Sequence, residues 1–305
     1  MKKSVRKCFC FIVIFCVVLS LVSIPFHKYR EYGYQYLAIK EKSESLQKER
    51  SDSIDVVFIG DSVGWSGYSP LYLYKQTGIR SYNFSTPGMW ASDAYTSIKQ
   101  VMKTQKPKVL VLDMNGFFAR STPVKFISKT FLIDMFPVLQ YHRELFDTDE
   151  EGGKDIWKGY YYSDVTTDCS SSMDYMHEIT GKKEFPPGSR TYLDKILKYC
   201  KENGISLVLS SSPNSLHWNA GKSEAVDQWA NKHDIDHIDG NKELKAIGID
   251  VKTDYIDFGE HLNRNGARKL TAYIGKYLQT HFHLKDSSGD KEWDKDVESV
   301  GVYNH

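Results

Sequence analysis

Ile54-Asp55-Val56-Val57-Phe58-Ile59-Gly60-Asp61-Ser62 is a short apolar run closed by glycine and followed at once by a serine. A run of this length and composition reads as a parallel strand buried on both faces. Lys108-Val109-Leu110-Val111-Leu112 and Ile205-Ser206-Leu207-Val208-Leu209 repeat the pattern, and Tyr82-Asn83-Phe84 and Ile235-Asp236-His237-Ile238 are shorter versions of it. Helical stretches lie between them. One covers 91–104, a second runs over 191–203 and stops at Gly204, and a third covers 221–233 with Ala225, Trp229 and Ala230 spaced for one face. Strands alternating with helices predict an α/β fold, a three-layer α/β/α sandwich around a central parallel sheet. Such sheets carry their reactive loops at the carboxyl ends of the strands, which is where Ser62 falls.

A serine presented by a glycine turn after a buried strand is placed to act as a nucleophile, with backbone amides behind it to receive an oxyanion. On its own the tripeptide is weak evidence, because turn serines are common. The second element is Asp257-Phe258-Gly259-Glu260-His261-Leu262-Asn263, followed by Gly266-Ala267. Asn263 is a natural cap for a helix whose apolar positions are Ala267, Leu270, Ile274 and Leu278. That leaves His261 in the loop just before the helix. A carboxylate four residues upstream, Asp257, can take one ring nitrogen's proton while the other nitrogen serves the serine. Glu260 and Asp254 are the alternative acids.

With these two blocks in place, the chain resembles the SGNH/GDSL hydrolase family over roughly residues 54–283. The resemblance rests on Gly60-Asp61-Ser62 after the first strand and on His261-Leu262-Asn263 with Gly266-Ala267 before the last helix. It implies a flavodoxin-like sandwich with Ser62 as nucleophile and His261 as base. The oxyanion hole would be made by the Ser62 amide, Gly88 of Asn83-Phe84-Ser85-Thr86-Pro87-Gly88, and Asn115 of Val111-Leu112-Asp113-Met114-Asn115-Gly116. The chain departs from the family in two places. The family's acid stands three residues before the histidine, where this chain has Phe258, and the block around Asn115 has lost its usual flanks. The resemblance implies a serine esterase or O-acyltransferase working through an acyl-Ser62 intermediate, without metal or other cofactor. The alternative is a non-catalytic scaffold of the same fold in an envelope-polymer modification complex.

Working outward, Lys2, Lys3, Arg6 and Lys7 precede an uncharged run over 8–26. That run is about 19 residues, or about 29 Å as a helix, close to the thickness of a bilayer core. The basic flank, 1–7, is expected in the cytoplasm and the remainder outside, as a single-pass protein of the cell membrane. A cleaved signal peptide competes, but its apolar core usually spans only about 7–15 residues. Residues 27–53 read as a polar helical stalk and 118–188 as an insertion, with a helix near 125–145. The charged segment 284–305 reads as a disordered tail. The resemblance in layout to anchored members of the family implies acetyl or D-alanyl groups on a cell-envelope glycan or teichoic-acid-like polymer as substrate, with other membrane proteins of an acyl-transfer system as partners. A formal net charge of +1 argues against nucleic acid as the main partner. Cys169 and Cys200 are the only cysteines outside the apolar run, and a disulfide between them is open. His281-x-His283 and His233-x-x-x-His237 lack a third ligand and read as surface histidines.

Overall fold

The computed structural model describes residues 2–118, 132, 135–142, 155–170, 175–176, 184–186 and 188–301. Its centre is a five-stranded parallel sheet. The strands are β1 (Val56–Ile59), β2 (Ser81–Asn83), β3 (Val109–Asp113), β4 (Ser206–Ser211) and β5 (His237–Asp239). Their order is β2-β1-β3-β4-β5. Every residue of β1 and β3 is buried, which is why these strands show no apolar-polar alternation in sequence. The two faces separate cleanly. Val57, Ile59, Leu110, Leu112, Leu207 and Leu209 pack against helices Ala91–Val101, Ser189–Glu202 and Ala220–His233. Val56, Phe58, Val109, Val111 and Val208 face helices Pro70–Thr77 and Arg264–His281. The sandwich is therefore three-layered, with both faces of the sheet covered.

Strand order reverses at β1, whose chain exits to one side into β2 and whose other neighbour is β3. The crevice outside the carboxyl ends of β1 and β3 is the expected ligand site in a sheet of this order. Gly60 is required there: a Cβ at that position would lie 2.6 Å from the Cβ of Asp113. The close approach lets the loops after β1 and β3 share one edge.

The helix over Lys2–Ser23 leaves its apolar side chains exposed, Phe9 and Phe11 at 67% and Ile14 at 62%. It is long and apolar enough to cross a membrane; a signal sequence passes the same test. The polar stretch after it does not form a solvated stalk. Residues 24–32 form a 3-10 segment and Tyr36–Gln47 an α-helix. Ile39 and Leu46 of that helix are buried in the main core with Ile98 and Val101.

The segment 284–305 departs from expectation too. Lys291–Val300 is a helix, capped by Asp290, with Trp293 buried against Tyr74. Beside it Lys158, fully buried, reaches Glu49 Oε1 at 2.9 Å and Asp296 Oδ2 at 2.5 Å, with its ammonium 4.7 Å from the Trp293 ring centre. This cluster joins the end of the 36–47 helix, the inserted segment and the C-terminal helix. Charge-rich composition concealed one apolar anchor and one buried ionic one. Of the helix expected near 125–145, Val138–Tyr141 forms a short turn, and most of the remainder lies outside the described residues. Cys169 and Cys200 form no disulfide, and they sit in the clusters on opposite faces of the sheet. A sheet between them is incompatible with the roughly 4–7 Å Cα separation that a disulfide needs.

Candidate active site

The helix Ser62–Gly67 begins directly at the end of the β1 turn. Asp61 caps it, its carboxylate accepting from Val63 N at 3.1 Å. Ser62 is thus the first helical residue, and its own N–H is among the amides that a helix start leaves without an intrahelical acceptor. Ser62 is partly exposed at the crevice.

Across the crevice, the loop before helix Arg264–His281 is wound tightly around one carboxylate. Asp257 Oδ1 accepts from Glu260 N at 2.9 Å and from His261 N at 3.0 Å. Asp257 Oδ2 lies 2.7 Å from His261 Nδ1, and His261 Nε2 lies 2.9 Å from Ser62 Oγ. Because Nδ1–H is donated to Asp257, Nε2 is the nitrogen left to accept from the serine. The extra residue in the Asp-to-His spacing is absorbed at Gly259, whose φ of +104° is a left-handed conformation that glycine adopts readily. Asn263 anchors the loop's far end by accepting from Asn265 N and Gly266 N.

The electrostatics agree with this arrangement. Burial pushes the His261 imidazole down, but the hydrogen bond and charge of Asp257, helped by Glu260 and Asp61, outweigh it and hold it above the ordinary 6.5. Burial likewise raises Asp257, and the hydrogen bonds it receives from His261 and Glu260 more than reverse that, leaving it below the usual carboxylate range. The rival acids are committed elsewhere. Asp254 is buried and bound to Lys269 Nζ at 2.6 Å. Glu260 stands 3.3 Å from His217 Nε2 and 4.0 Å from His261 Nε2, on the solvent side.

Asn115 follows β3 and lies 7% exposed, with its Nδ2 lacking any hydrogen-bond partner. Its backbone N–H donates to Asp113 Oδ1 at 3.0 Å. Asp113 in turn accepts at Oδ2 from Tyr68 OH at 2.6 Å and Ser212 Oγ at 2.7 Å. This buried network beneath the crevice is not visible in the sequence. Asp61 above it is pushed up to about 7, by burial first and by the charge of Asp113 second. Asn115, Asp61 and Glu260 line one cavity of about 670 Å³ beside Ser62. Gly88 is not among its lining residues. It occupies an exposed turn with φ +68°, where Met89 N donates to Thr86 O at 3.2 Å. The cavity's remaining wall comes from the loop after β4, including Asn214, His217 and Trp218. No sequence motif marks that loop, although its place at the carboxyl end of a strand is a signal for it.

Asp257, Glu260 and His261 are close enough together to resemble a metal site. Each has the proton or hydrogen-bond role described above.

No protein-family model matches the chain, and no curated protein matches it significantly. Solved structures do show similarity. A GDSL-like lipase from Bacteroides thetaiotaomicron VPI-5482 is 12% identical with a TM-score of 0.42, the alignment covering 82% of this chain and 98% of that one. The lipase/acylhydrolase from Enterococcus faecalis is 13% identical with a TM-score of 0.41, covering 76% and 98%. In motif order and in sheet architecture, this chain resembles the SGNH/GDSL hydrolases.

Proposed function

We propose that this protein is a serine esterase or O-acyltransferase acting on acetyl or D-alanyl groups of cell-envelope polysaccharide. The observation that carries the reading is the continuous relay Asp257–His261–Ser62, at 2.7 and 2.9 Å, beside an unpartnered buried donor on Asn115. Ser62 Oγ attacks the ester carbonyl while its proton passes to His261 Nε2, and Asp257 stabilises the imidazolium that forms. The tetrahedral oxyanion is received by the Ser62 N–H and Asn115 Nδ2; Gly88, in an exposed turn off the cavity, is left out of the hole. Collapse breaks the C–O bond, and the departing alcohol takes the proton from His261. The acyl-Ser62 ester is then attacked by water, giving hydrolysis, or by a sugar hydroxyl, giving transfer. In either case His261 removes the attacking group's proton and returns it to Ser62 Oγ as the acyl–Oγ bond breaks.

The apolar N-terminal helix and its basic flank support an anchored, outward-facing enzyme whose substrates are envelope glycans or teichoic-acid-like polymers, working beside other membrane proteins that supply or receive acyl groups. The test is acetate or alanine release from isolated wall polymers by the full chain in detergent, with Ser62→Ala as control. Release that depends on Ser62 supports the reading. A well-folded protein that neither releases acyl groups nor reacts with a fluorophosphonate at Ser62 is a scaffold instead.

A further inference from the structure

The apolar helix Lys2–Ser23 joins the domain at the edge that carries the crevice. Val138 N donates to Ser23 Oγ at 3.4 Å, and Phe26 is buried in a small cluster with Tyr36 and Tyr141. Just before Tyr36, the Tyr34 ring stacks on Trp90 at 5.5 Å and Tyr34 N donates to Asp93. Gln35 Oε1 accepts from Thr86 Oγ1 at 3.1 Å. Thr86 follows β2, and Trp90 and Asp93 open the helix Ala91–Val101. All three therefore lie at the carboxyl ends of the strands, the edge on which Ser62 stands. The helix Tyr36–Gln47 then runs back to the amino edge, where Ser53 and Ile54 lead into β1 and donate to Gln105.

The same edge carries exposed apolar surface. Beyond residue 23, the exposed large apolar side chains of the described residues gather at two places, Ile156 apart. One is the foot of the N-terminal helix, with Ile24, Leu37 and the stretch 132–139. The other is the mouth of the crevice, with Phe258 at 71% exposed, Val165 at 55%, Leu216 at 48% and Tyr161 at 43%. Phe258 stands between Asp257 and Gly259, and Leu216 follows Ser215, whose N–H donates to Gly259 O at 2.7 Å. Val165 O accepts from Asn263 Nδ2 at 3.0 Å. The Tyr161 ring lies 4.5 Å from that of Trp65, one helical turn on from Ser62. One exposed apolar residue needs no explanation, but four around a single opening do.

A bilayer surface accounts for both groups. The stretch 24–36 between the apolar helix and the domain carries Lys28 and Arg30 with Tyr29, Tyr32 and Tyr34. Cations and tyrosines at the end of an apolar span mark the level of the headgroups, and here that level meets the crevice edge through Gln35 and Thr86. A hydrated glycan chain would leave Phe258 and Val165 in water.

We propose that the mouth of the crevice docks on the bilayer surface through Phe258, Val165, Leu216 and Tyr161. The ester that reaches Ser62 then belongs to a molecule held in the membrane. The assignment deepens the proposed function and rests on its reading of the N-terminal helix as an anchor.

The full chain is placed in lipid nanodiscs with photoreactive benzoylphenylalanine replacing either Phe258 or Lys106. Lys106 is an exposed residue of the loop before β3, at the opposite edge. After irradiation, mass spectrometry is expected to find lipid adducts at position 258 and none at position 106. Equal yields at both positions, or no lipid adduct at 258, overturns the proposal. Adducts to protein alone overturn it in favour of a protein partner or a second copy. A chain that does not enter the nanodisc overturns it together with the anchor. The double variant Phe258→Ser, Val165→Ser is expected to slow cleavage of an ester borne by a vesicle lipid about tenfold, the scale of losing one buried apolar side chain. Cleavage of water-soluble p-nitrophenyl acetate is expected to be unchanged, and undiminished cleavage of the lipid-borne ester overturns the docking role. Fluorophosphonate labelling of Ser62 reports on the esterase reading alone. Lipid adducts without labelling leave a docked scaffold, and labelling without lipid adducts leaves an esterase whose crevice faces away from the membrane.

Discussion

Ser211 Oγ lies 2.8 Å from His237 Nε2, and His237 Nδ1 lies 2.7 Å from Asp227, so the molecule contains a second Ser-His-Asp string besides the one at Ser62. The two differ in every respect but those distances. Ser211 is the last residue of β4 and has no exposed surface, whereas Ser62 opens a helix at the edge of a cavity. Asp227 also carries Lys242 at 2.5 Å. Triad geometry alone does not make a nucleophile; access to the carbonyl and donors for the oxyanion do.

A fluorophosphonate probe should therefore label Ser62 alone. Ser62→Ala is expected to abolish labelling, and Ser211→Ala to leave it in place. Peptide mapping by mass spectrometry reads the outcome, and an adduct on Ser211 would contradict the assignment.

The pH dependence of kcat/KM follows from the position of the imidazole. His261 must be neutral to accept the Ser62 proton, and Asp257 holds its pKa above 6.5. Activity should rise with pH through an apparent pKa above 6.5 and then level off. In Asp257→Asn the raising influence is gone and burial dominates, so the limb moves to lower pH. The plateau should fall by about 10³–10⁴-fold as the tautomer is lost. A limb unmoved by Asp257→Asn would assign the acid elsewhere.

Asn115→Ala should lower kcat by about 100–1,000-fold, the usual effect of one oxyanion donor. Stability should change little, because Asn115 Nδ2 has no partner to lose and the backbone N–H keeps its bond to Asp113. Steady-state kinetics with a thermal melt separates this from a folding defect.

Lys158→Ala should destabilise the fold by about 3–5 kcal/mol, the scale for removing one member of a buried ion pair. Here the loss leaves Glu49 and Asp296 facing each other without their shared cation. Chemical denaturation measures it. A change below about 1 kcal/mol would mean that water reaches the cluster.

Much of this was legible in the residues because chemistry and position coincide. β1, β3 and β4 show as unbroken apolar runs, and the helices between them as amphipathic stretches. Ser62 stands at the end of the first run, and His261 directly precedes the capped last helix. The sequence leaves the acid open among Asp257, Glu260 and Asp254, and it is the folded loop that sets the Asp257 carboxylate 2.7 Å from the His261 ring. What stayed hidden depends on contacts between distant segments. Ile39 and Leu46 are thinly spread among charges, and so are Trp293 and Val297 in the last helix, so both segments read as polar until the core that receives them is seen. Asn214 and Trp218 belong to no motif. Their place beside the cavity is set by the loop after β4, which only the folded surroundings reveal.

The helix Tyr36–Gln47 lies against the sheet domain instead of hanging free between it and the apolar N-terminal segment. A leash lets an enzyme sweep a volume and sample targets at many heights. A fixed mount would give an enzyme anchored as proposed one working distance from the bilayer, so that only esters within that narrow band would be reached.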